Sequence, residues 1–336
     1  MKCFEPKYNT IPKTEIHCHL EGAIRTSTII DVAKQYGLKL PSYDVPGLDP
    51  HVKVLEQLKD LDAVLRAFRV AQNSITSVDV VERIAWEAFE DAAKQNIKLF
   101  EVRFSPDFAF SGHKIDWDAG LKAILRAKKR AQEKFGMAIG LISISSRSMG
   151  MASCEKTVDW SIQHKKEIHA FDLADGELTH PIHKFVGPVL RAKHAGLKIT
   201  IHSGEDTNGQ AVIDTICAVE PDRIGHGVRI IHDKKAIDLV KARGVTLELN
   251  PWSNYLTNAV NHVEEHPLKR LFDMGVKVTI NSDDPEVLET NLNNEYRIAH
   301  EVLGMTFDDI KHCNRNAVAA SFIPKDELRP VIALFD

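Results

Sequence analysis

His17 and His19 stand two residues apart in the stretch Pro12-Lys13-Thr14-Glu15-Ile16-His17-Cys18-His19-Leu20-Glu21-Gly22. On a strand, side chains at i and i+2 share a face. Two imidazoles would therefore project together at the end of a short apolar run, just before a glycine opens the loop. Two nitrogen donors begin a metal site without completing it. Further candidates follow in His202-Ser203-Gly204-Glu205, Gly225-His226-Gly227 and Ser282-Asp283-Asp284-Pro285. Nitrogen-rich ligation with one carboxylate suits zinc, and a zinc ion can lower the pKa of a water toward neutrality. Glu205, three residues past His202, could carry protons to a ring nitrogen or a leaving group. His226, between two glycines, has room to act as base or as electrostatic stabiliser. Asp283 and Asp284 divide: if one faces the ion, its neighbour turns toward the adjacent cavity and can accept a proton or hydrogen bond from substrate. Pro285 also lets Asp284 cap a helix start.

These candidates sit at the ends of short apolar or β-branched runs. The runs occupy 15–20, 99–105, 139–145, 168–174, 198–204, 223–228, 245–251 and 277–283. Between them, residues 118–134, 184–195, 209–219, 233–243 and 264–274 carry apolar residues at helical spacing, several closed by glycine at 196, 244 and 275. Eight strands alternating with helices predict an α/β fold, a (β/α)₈ TIM-type barrel, because parallel strands need crossover helices. A doubly wound sheet would place phosphate-binding glycines after its first strand, and no G-x-G-x-x-G follows Leu20. Barrel active sites gather at the carboxyl ends of the strands, where all four motifs fall. Residues 1–336 read as one barrel domain with a helical insertion at 21–98. In that insertion Leu61, Val64, Leu65 and Phe68 share one helical face, which either packs on the barrel or forms a lid over its mouth. Thr306 and Asp309 form a capping-box pattern that starts a last helix.

Composition narrows the function classes. The 336 residues are 43% hydrophobic and 27% charged, with a formal net charge of −4 and a pI near 6.5. That balance argues against a dedicated nucleic-acid binder or a polybasic membrane binder. The first residues lack the apolar core of a signal peptide, and no apolar run is long enough to span a bilayer; a cytoplasmic protein is expected. The five cysteines, at 3, 18, 154, 217 and 313, form no Cys-x-x-Cys pair, so no thiolate zinc site or disulfide scaffold is indicated. The fourth strand ends in Asp172-Leu173-Ala174-Asp175-Gly176-Glu177, without the lysine that bridges two metals in binuclear barrel hydrolases. One metal ion is expected. The His-x-Glu and Pro-Cys-x-x-Cys signature of one class of zinc enzymes acting on nucleobases is also missing.

The chain resembles the adenosine/adenine deaminase family of the amidohydrolase superfamily. The matching pieces are PKTEIHCHLEG at 12–22, FEVRFSP at 100–106, DLADGE at 172–177, IHSGED at 201–206, RIGHG at 223–227, NPWSNYLT at 250–257, HPLKRL at 266–271 and INSDDP at 280–285. They occur in family order across nearly the whole chain. The resemblance implies one zinc ion held by His17, His19, His202 and Asp283. It implies Glu205 as proton donor to purine N1, His226 positioning and deprotonating the attacking water, and Asp284 engaging that water and purine N7. Asp175 or Gly176 would lie near N3, with Glu21 at the ribose. Leu61, Val64, Leu65 and Phe68 would belong to a hydrophobic gate, which favours the lid. The implied reaction is hydrolytic deamination of adenosine, and of 2'-deoxyadenosine, to inosine and ammonia.

Three departures bear on substrate. Adenosine deaminases usually carry aspartate where this chain has Glu21; glutamate is common in deaminases of adenine or of larger derivatives such as aminodeoxyfutalosine. Against adenine, those enzymes usually read IDHG where this chain has Ile224-Gly225-His226-Gly227. DLADGE transposes the usual glycine and aspartate, and HSGE replaces HAGE. A non-catalytic purine-binding relative would need a damaged site, and every residue that handles metal, water and proton is present. The expected partner is a small purine nucleoside, not nucleic acid or membrane.

Overall fold

The computed structural model describes residues 6–58 and 68–336. Eight parallel strands, β1 (Lys13–His19), β2 (Ile97–Phe104), β3 (Ala138–Ser146), β4 (Ala170–Ala174), β5 (Lys198–Ser203), β6 (Arg223–His226), β7 (Thr246–Leu249) and β8 (Val278–Ile280), pair in chain order. The ring is completed past the end of β8. There the His19 N–H donates to the Asp283 carbonyl at 2.8 Å, and the Asp283 N–H donates to the His17 carbonyl at 3.0 Å. This is the (β/α)₈ barrel expected from the alternation of runs.

Strand alternation explains the layering. On β2, Phe100, Val102 and Phe104 are buried in the large apolar core, while Glu101 and Arg103 face charged partners across the barrel. On β4 and β7 the same alternation sets Phe171, Leu173, Leu247 and Leu249 in that core and turns Asp172 and Glu248 inward. Successive side chains on a strand point to opposite faces, so an apolar run interrupted by one charge marks a wall with a polar lining.

The later strands end earlier than their sequence runs. Residues 223–228 give a strand ending at His226, and 277–283 one ending at Ile280. Past those points the backbone leaves the extended region: φ is +60° at His226 and +64° at Asp283. Non-glycine residues rarely occupy that region, and when they do they cluster at functional sites.

The crossover helices match the periodic segments. Residues 209–219 form the helix Gly209–Val219, and 118–134 lie within Trp117–Phe135. Segment 264–274 is instead broken into a short 3₁₀ turn, Val263–Glu265, and a helix, Leu268–Asp273. Pro267 disfavours helical backbone at the residue before it, and His266 accordingly has ψ 129°. Thr306 and Asp309 make both hydrogen bonds of the capping box. Within 21–98, the helix Val78–Lys94 packs on β2 and on Trp117–Phe135 as the crossover between β1 and β2. The helices Thr26–Tyr36 and Val45–Val52 precede it. Leu61, Val64 and Leu65 lie outside the described residues. Phe68 is buried against Val54, Leu256, Val287 and Leu288. Among the described residues no helix is long and apolar enough to cross a membrane.

Candidate active site

His17 and His19 leave β1 on one face, as the i, i+2 rule requires. Their rings meet those of His202 from β5 and His226 from β6. Ring centroids are 4.7 Å apart for His17 and His202, and 5.3 Å for His19 and His202. Asp283 enters from the far side of the ring closure, its Oδ1 3.2 Å from Nε2 of both His17 and His19. Donor atoms of His17, His202, His226 and Asp283 all lie within 4.8 Å of one another, as do those of His19, Asp283 and Asp284. All residues expected from sequence to bind metal are thus gathered around Asp283.

A cation fits this cluster. Nε2 of His17 is buried without a hydrogen-bond partner, an arrangement that costs free energy unless something else satisfies the atom. The opposite ring nitrogens are already committed. His17 Nδ1 lies 2.6 Å from Glu248 Oε2, and His202 Nδ1 lies 3.0 Å from Asp172 Oδ2. A carboxylate at Nδ1 fixes the tautomer and leaves the Nε2 lone pair for an ion. Arg103 links the two carboxylates, donating to Asp172 and to Glu248 at 2.7 Å each. Burial alone would raise both acids. His202 and Arg103 hold Asp172 well below the usual carboxylate range, and Arg103 and Arg223 do the same for Glu248.

The acids at the mouth are displaced the other way. Glu205 is pushed well above its ordinary value, first by burial and then by Asp283. Asp284 is raised by burial and by its neighbours Asp283, Glu21 and Glu205. A raised pKa favours the protonated form of each carboxyl, which can donate or share its proton. Gly22 is needed here for space, since a Cβ on it would lie 2.0 Å from Asp284 Oδ1. Gly225 is likewise crowded: its Cβ would lie 3.1 Å from His17 and 3.2 Å from His202.

The loop bearing Glu205 is held by Glu177. The Glu177 carboxylate accepts from the backbone N–H of Gly204 at 2.8 Å and of Glu205 at 3.0 Å, and from the Thr207 hydroxyl at 2.8 Å. Glu21 accepts from the Ser105 N–H at 2.7 Å, which ties the end of β1 to that of β2; burial raises its carboxyl to about 7. Asp175 turns toward the end of β3, taking hydrogen bonds from the Ser146 and Ser148 hydroxyls. The Gly176 N–H is occupied by the Asp175 carboxylate at 2.7 Å. Phe68, Trp252 and Tyr255 share one apolar cluster beside the β7 and β8 loops; Leu61 and Leu65 fall outside the described residues.

Several of these residues carried no role in the sequence reading: Arg103, Asp172, Glu177, Glu248 and Ser253, whose hydroxyl donates to Asp283 Oδ2 at 2.7 Å. A signal was present for three of them, because a lone charge inside a buried apolar strand needs a partner across the barrel. Glu177 and Ser253 lie on loops, where no periodicity marks them.

A metal-ready imidazole cluster beside buried acids suits hydrolysis by an activated water. The adenosine deaminase family model matches residues 12–336. The adenosine deaminase of Shigella flexneri serotype 5b is 33% identical over 320 residues, covering 95% of this chain and 96% of that protein. Among solved structures, adenine deaminase from Arthrobacter aurescens superposes with a TM-score of 0.90 at 23% identity, over 97% of this chain and 98% of that one. The N6-mAMP deaminase from Arabidopsis superposes with a TM-score of 0.85 at 23% identity, over 98% and 99%. With the metal-ready strand ends, the acid pair at the mouth and a family match from the first strand to the last residue, the chain belongs to the adenosine deaminase family.

Proposed function

We propose that this enzyme hydrolyses the 6-amino group of adenosine, and of 2'-deoxyadenosine, with one zinc ion per chain. The observation that carries the reading is the pairing of Glu205, an acid raised by burial and by neighbouring carboxylates, with an imidazole cluster in which the buried Nε2 of His17 has no hydrogen-bond partner. His17, His19, His202 and Asp283 would hold the ion, which would make water a nucleophile near neutral pH. Glu205, whose protonated form burial favours, donates to purine N1 as water adds at C6, which relieves the negative charge that builds on the ring. Asp284 hydrogen-bonds the attacking water and N7. The C6–N bond breaks and ammonia leaves carrying one proton of the water; the other returns to Glu205 as the C6 hydroxyl becomes a carbonyl, replacing the proton given to N1, and inosine remains. Barrel closure beneath the cluster excludes bulk water from below, so charge interactions at the reacting atoms are little screened.

Adenosine is favoured over adenine by the match at 33% identity to an adenosine deaminase along nearly the full chain, and by the Gly225-His226-Gly227 sequence. The test is the ultraviolet absorbance change of adenosine on incubation with zinc-loaded protein. Turnover of adenosine and 2'-deoxyadenosine is expected, and unchanged spectra would remove the assignment. A second reading, adenine or an enlarged adenosine derivative, rests on Glu21, which is longer than the usual aspartate and buried at the mouth. Higher kcat/KM for adenine than for adenosine in matched assays would establish it.

A further inference from the structure

Apart from Ser253, the stretches NPWSN at 250–254 and HPLKRL at 266–271 have so far no role at the site. They meet behind His226. The Leu268 backbone N–H donates to His266 Nδ1 at 3.2 Å. A backbone amide can only donate, so His266 Nδ1 holds a lone pair and the proton of the neutral ring is on Nε2. His266 is buried, and burial lowers it to about 3, which keeps the ring neutral. Its Nε2–H then donates to Asn254 Oδ1 at 3.1 Å. That contact decides which way the Asn254 amide faces: oxygen toward His266, NH₂ toward His226. The Asn254 NH₂ lies 2.9 Å from His226 Nδ1. Asn250 supplies a second NH₂ at 3.1 Å, oriented by its other hydrogen bond to the Glu248 carbonyl at 3.2 Å.

We infer that this relay, Leu268 N–H to His266 to Asn254 to His226, places the His226 proton on Nε2, so that His226 presents a hydrogen-bond donor to the cavity and not a free base. The inference rests on the deaminase reading only for what occupies that cavity. Nε2 faces Glu205 Oε2 at 3.4 Å and Asp283 Oδ2 at 3.8 Å, so the N–H is aimed into the space between the proton donor and the metal-binding carboxylate. An attacking water oxygen there would receive a hydrogen bond that strengthens as negative charge grows on it. The same proton removes the lone pair that metal binding would need. This separates His226 from His17 and His202, whose Nδ1 atoms face carboxylates instead of amide NH₂ groups. Three neighbouring imidazoles thus receive opposite tautomers from the chemistry of what stands behind them. Asn254 and His266 act as positioning residues; His226 is the group that meets the reactants.

The decisive measurement is two-bond ¹H–¹⁵N correlation of the full-length, zinc-loaded protein labelled at histidine nitrogens, near neutral pH. His226 is assigned by the signals lost in His226→Gln. The expected spectrum has the His226 proton on Nε2 and an unprotonated, metal-free Nδ1. A proton on Nδ1, or Nε2 bound to zinc, overturns the inference whatever the variants do. In Asn254→Asp the carboxylate can accept from both imidazoles, so the His226 proton moves to Nδ1 while Asn250 keeps its bond to the Glu248 carbonyl. With that move, kcat for adenosine falls roughly 10–100-fold, the usual cost of losing an orienting partner, while KM changes little. His266→Leu frees the Asn254 amide to rotate and gives a mixture of both His226 tautomers. A wild-type protein that deaminates adenosine with the proton on Nδ1 sinks the relay and leaves the function standing. One that shows Nε2–H but no turnover does the reverse.

Discussion

Asp172 and Glu248, inside the barrel, are wholly buried, and Glu205 and Asp284, at its mouth, are nearly so. The first pair is held far below the ordinary carboxylate range and the second is pushed far above it. Burial acts on all four in the same direction, disfavouring the charge. The difference is the counter-ion. Arg103 spans Asp172 and Glu248 at 2.7 Å each, and Arg223 Nε adds a contact to Glu248 at 2.6 Å. At the mouth the neighbours are further acids. One layer of the barrel is therefore charged and rigid, aligning imidazoles from behind. In the layer above it, burial and neighbouring acids favour the protonated form of Glu205 and Asp284. Below both, Arg223 and Glu101 pair at 2.8 Å, and Glu101 accepts from the Ser321 hydroxyl at 2.6 Å, closing the barrel floor.

The contrast can be broken at each level. At the mouth, Glu205→Gln keeps the shape and loses the acid. The expected result is a fall in kcat of roughly 10²–10⁴-fold with an unchanged unfolding midpoint; full turnover in this variant would contradict the mechanism. Arg103→Met strands Asp172 and Glu248. Breaking a buried ion pair from one side costs about 3–5 kcal/mol, measurable by urea unfolding, and zinc affinity should drop about 10–100-fold through the loosened histidines. Arg223→Met should cost a similar amount of stability because Glu101 is stranded and Glu248 loses one of its two arginines, yet lower zinc affinity less than Arg103→Met does, since Arg103 still spans Asp172 and Glu248. If it released zinc as readily as Arg103→Met, the middle layer and the floor would be one unit.

A gentler test uses pH. The folded state raises Glu21 to about 7, through burial partly offset by the Ser105 N–H. Between its unfolded value near 4.5 and about 7, the folded protein holds a proton that the unfolded chain has released. Stability then falls as pH rises across that window. Glu21→Gln should flatten this slope in unfolding midpoints taken from acid to neutral pH, and an unaltered slope would remove Glu21 from the set of protonated mouth acids. Smallest of all, Ser321→Ala deletes one hydroxyl from the floor. A loss of about 1 kcal/mol is expected, with kcat and zinc affinity preserved.

How much of this was readable in advance differs between the layers. The barrel was legible because eight apolar runs alternate with helical periodicity, and burial on an outer face imposes that pattern on any such chain. The positions of the candidate site residues were legible too: His17, His19, His202, His226, Asp283, Asp284 and Glu205 all lie near strand ends or in the loops after them. Arg103 and Glu248 were visible as charges but not as partners, since they lie 145 positions apart and no local pattern joins them. Segment 264–274 read as one helix, and Pro267 divides it. Substrate-side residues were least legible. Asp175 and Gly176 are engaged with each other and with Ser146 and Ser148, contacts that depend on how two loops approach.

By itself, then, the sequence determined the parallel barrel and the residue types at its carboxyl end, because strand periodicity and burial are local properties of the chain. Only the tertiary structure decided the state in which each group works. Protonation and tautomer depend on what stands within about 3 Å, and here those neighbours come from other strands. Arg103 sets the acids behind His17 and His202. Asn254, oriented by His266, sets His226 the opposite way.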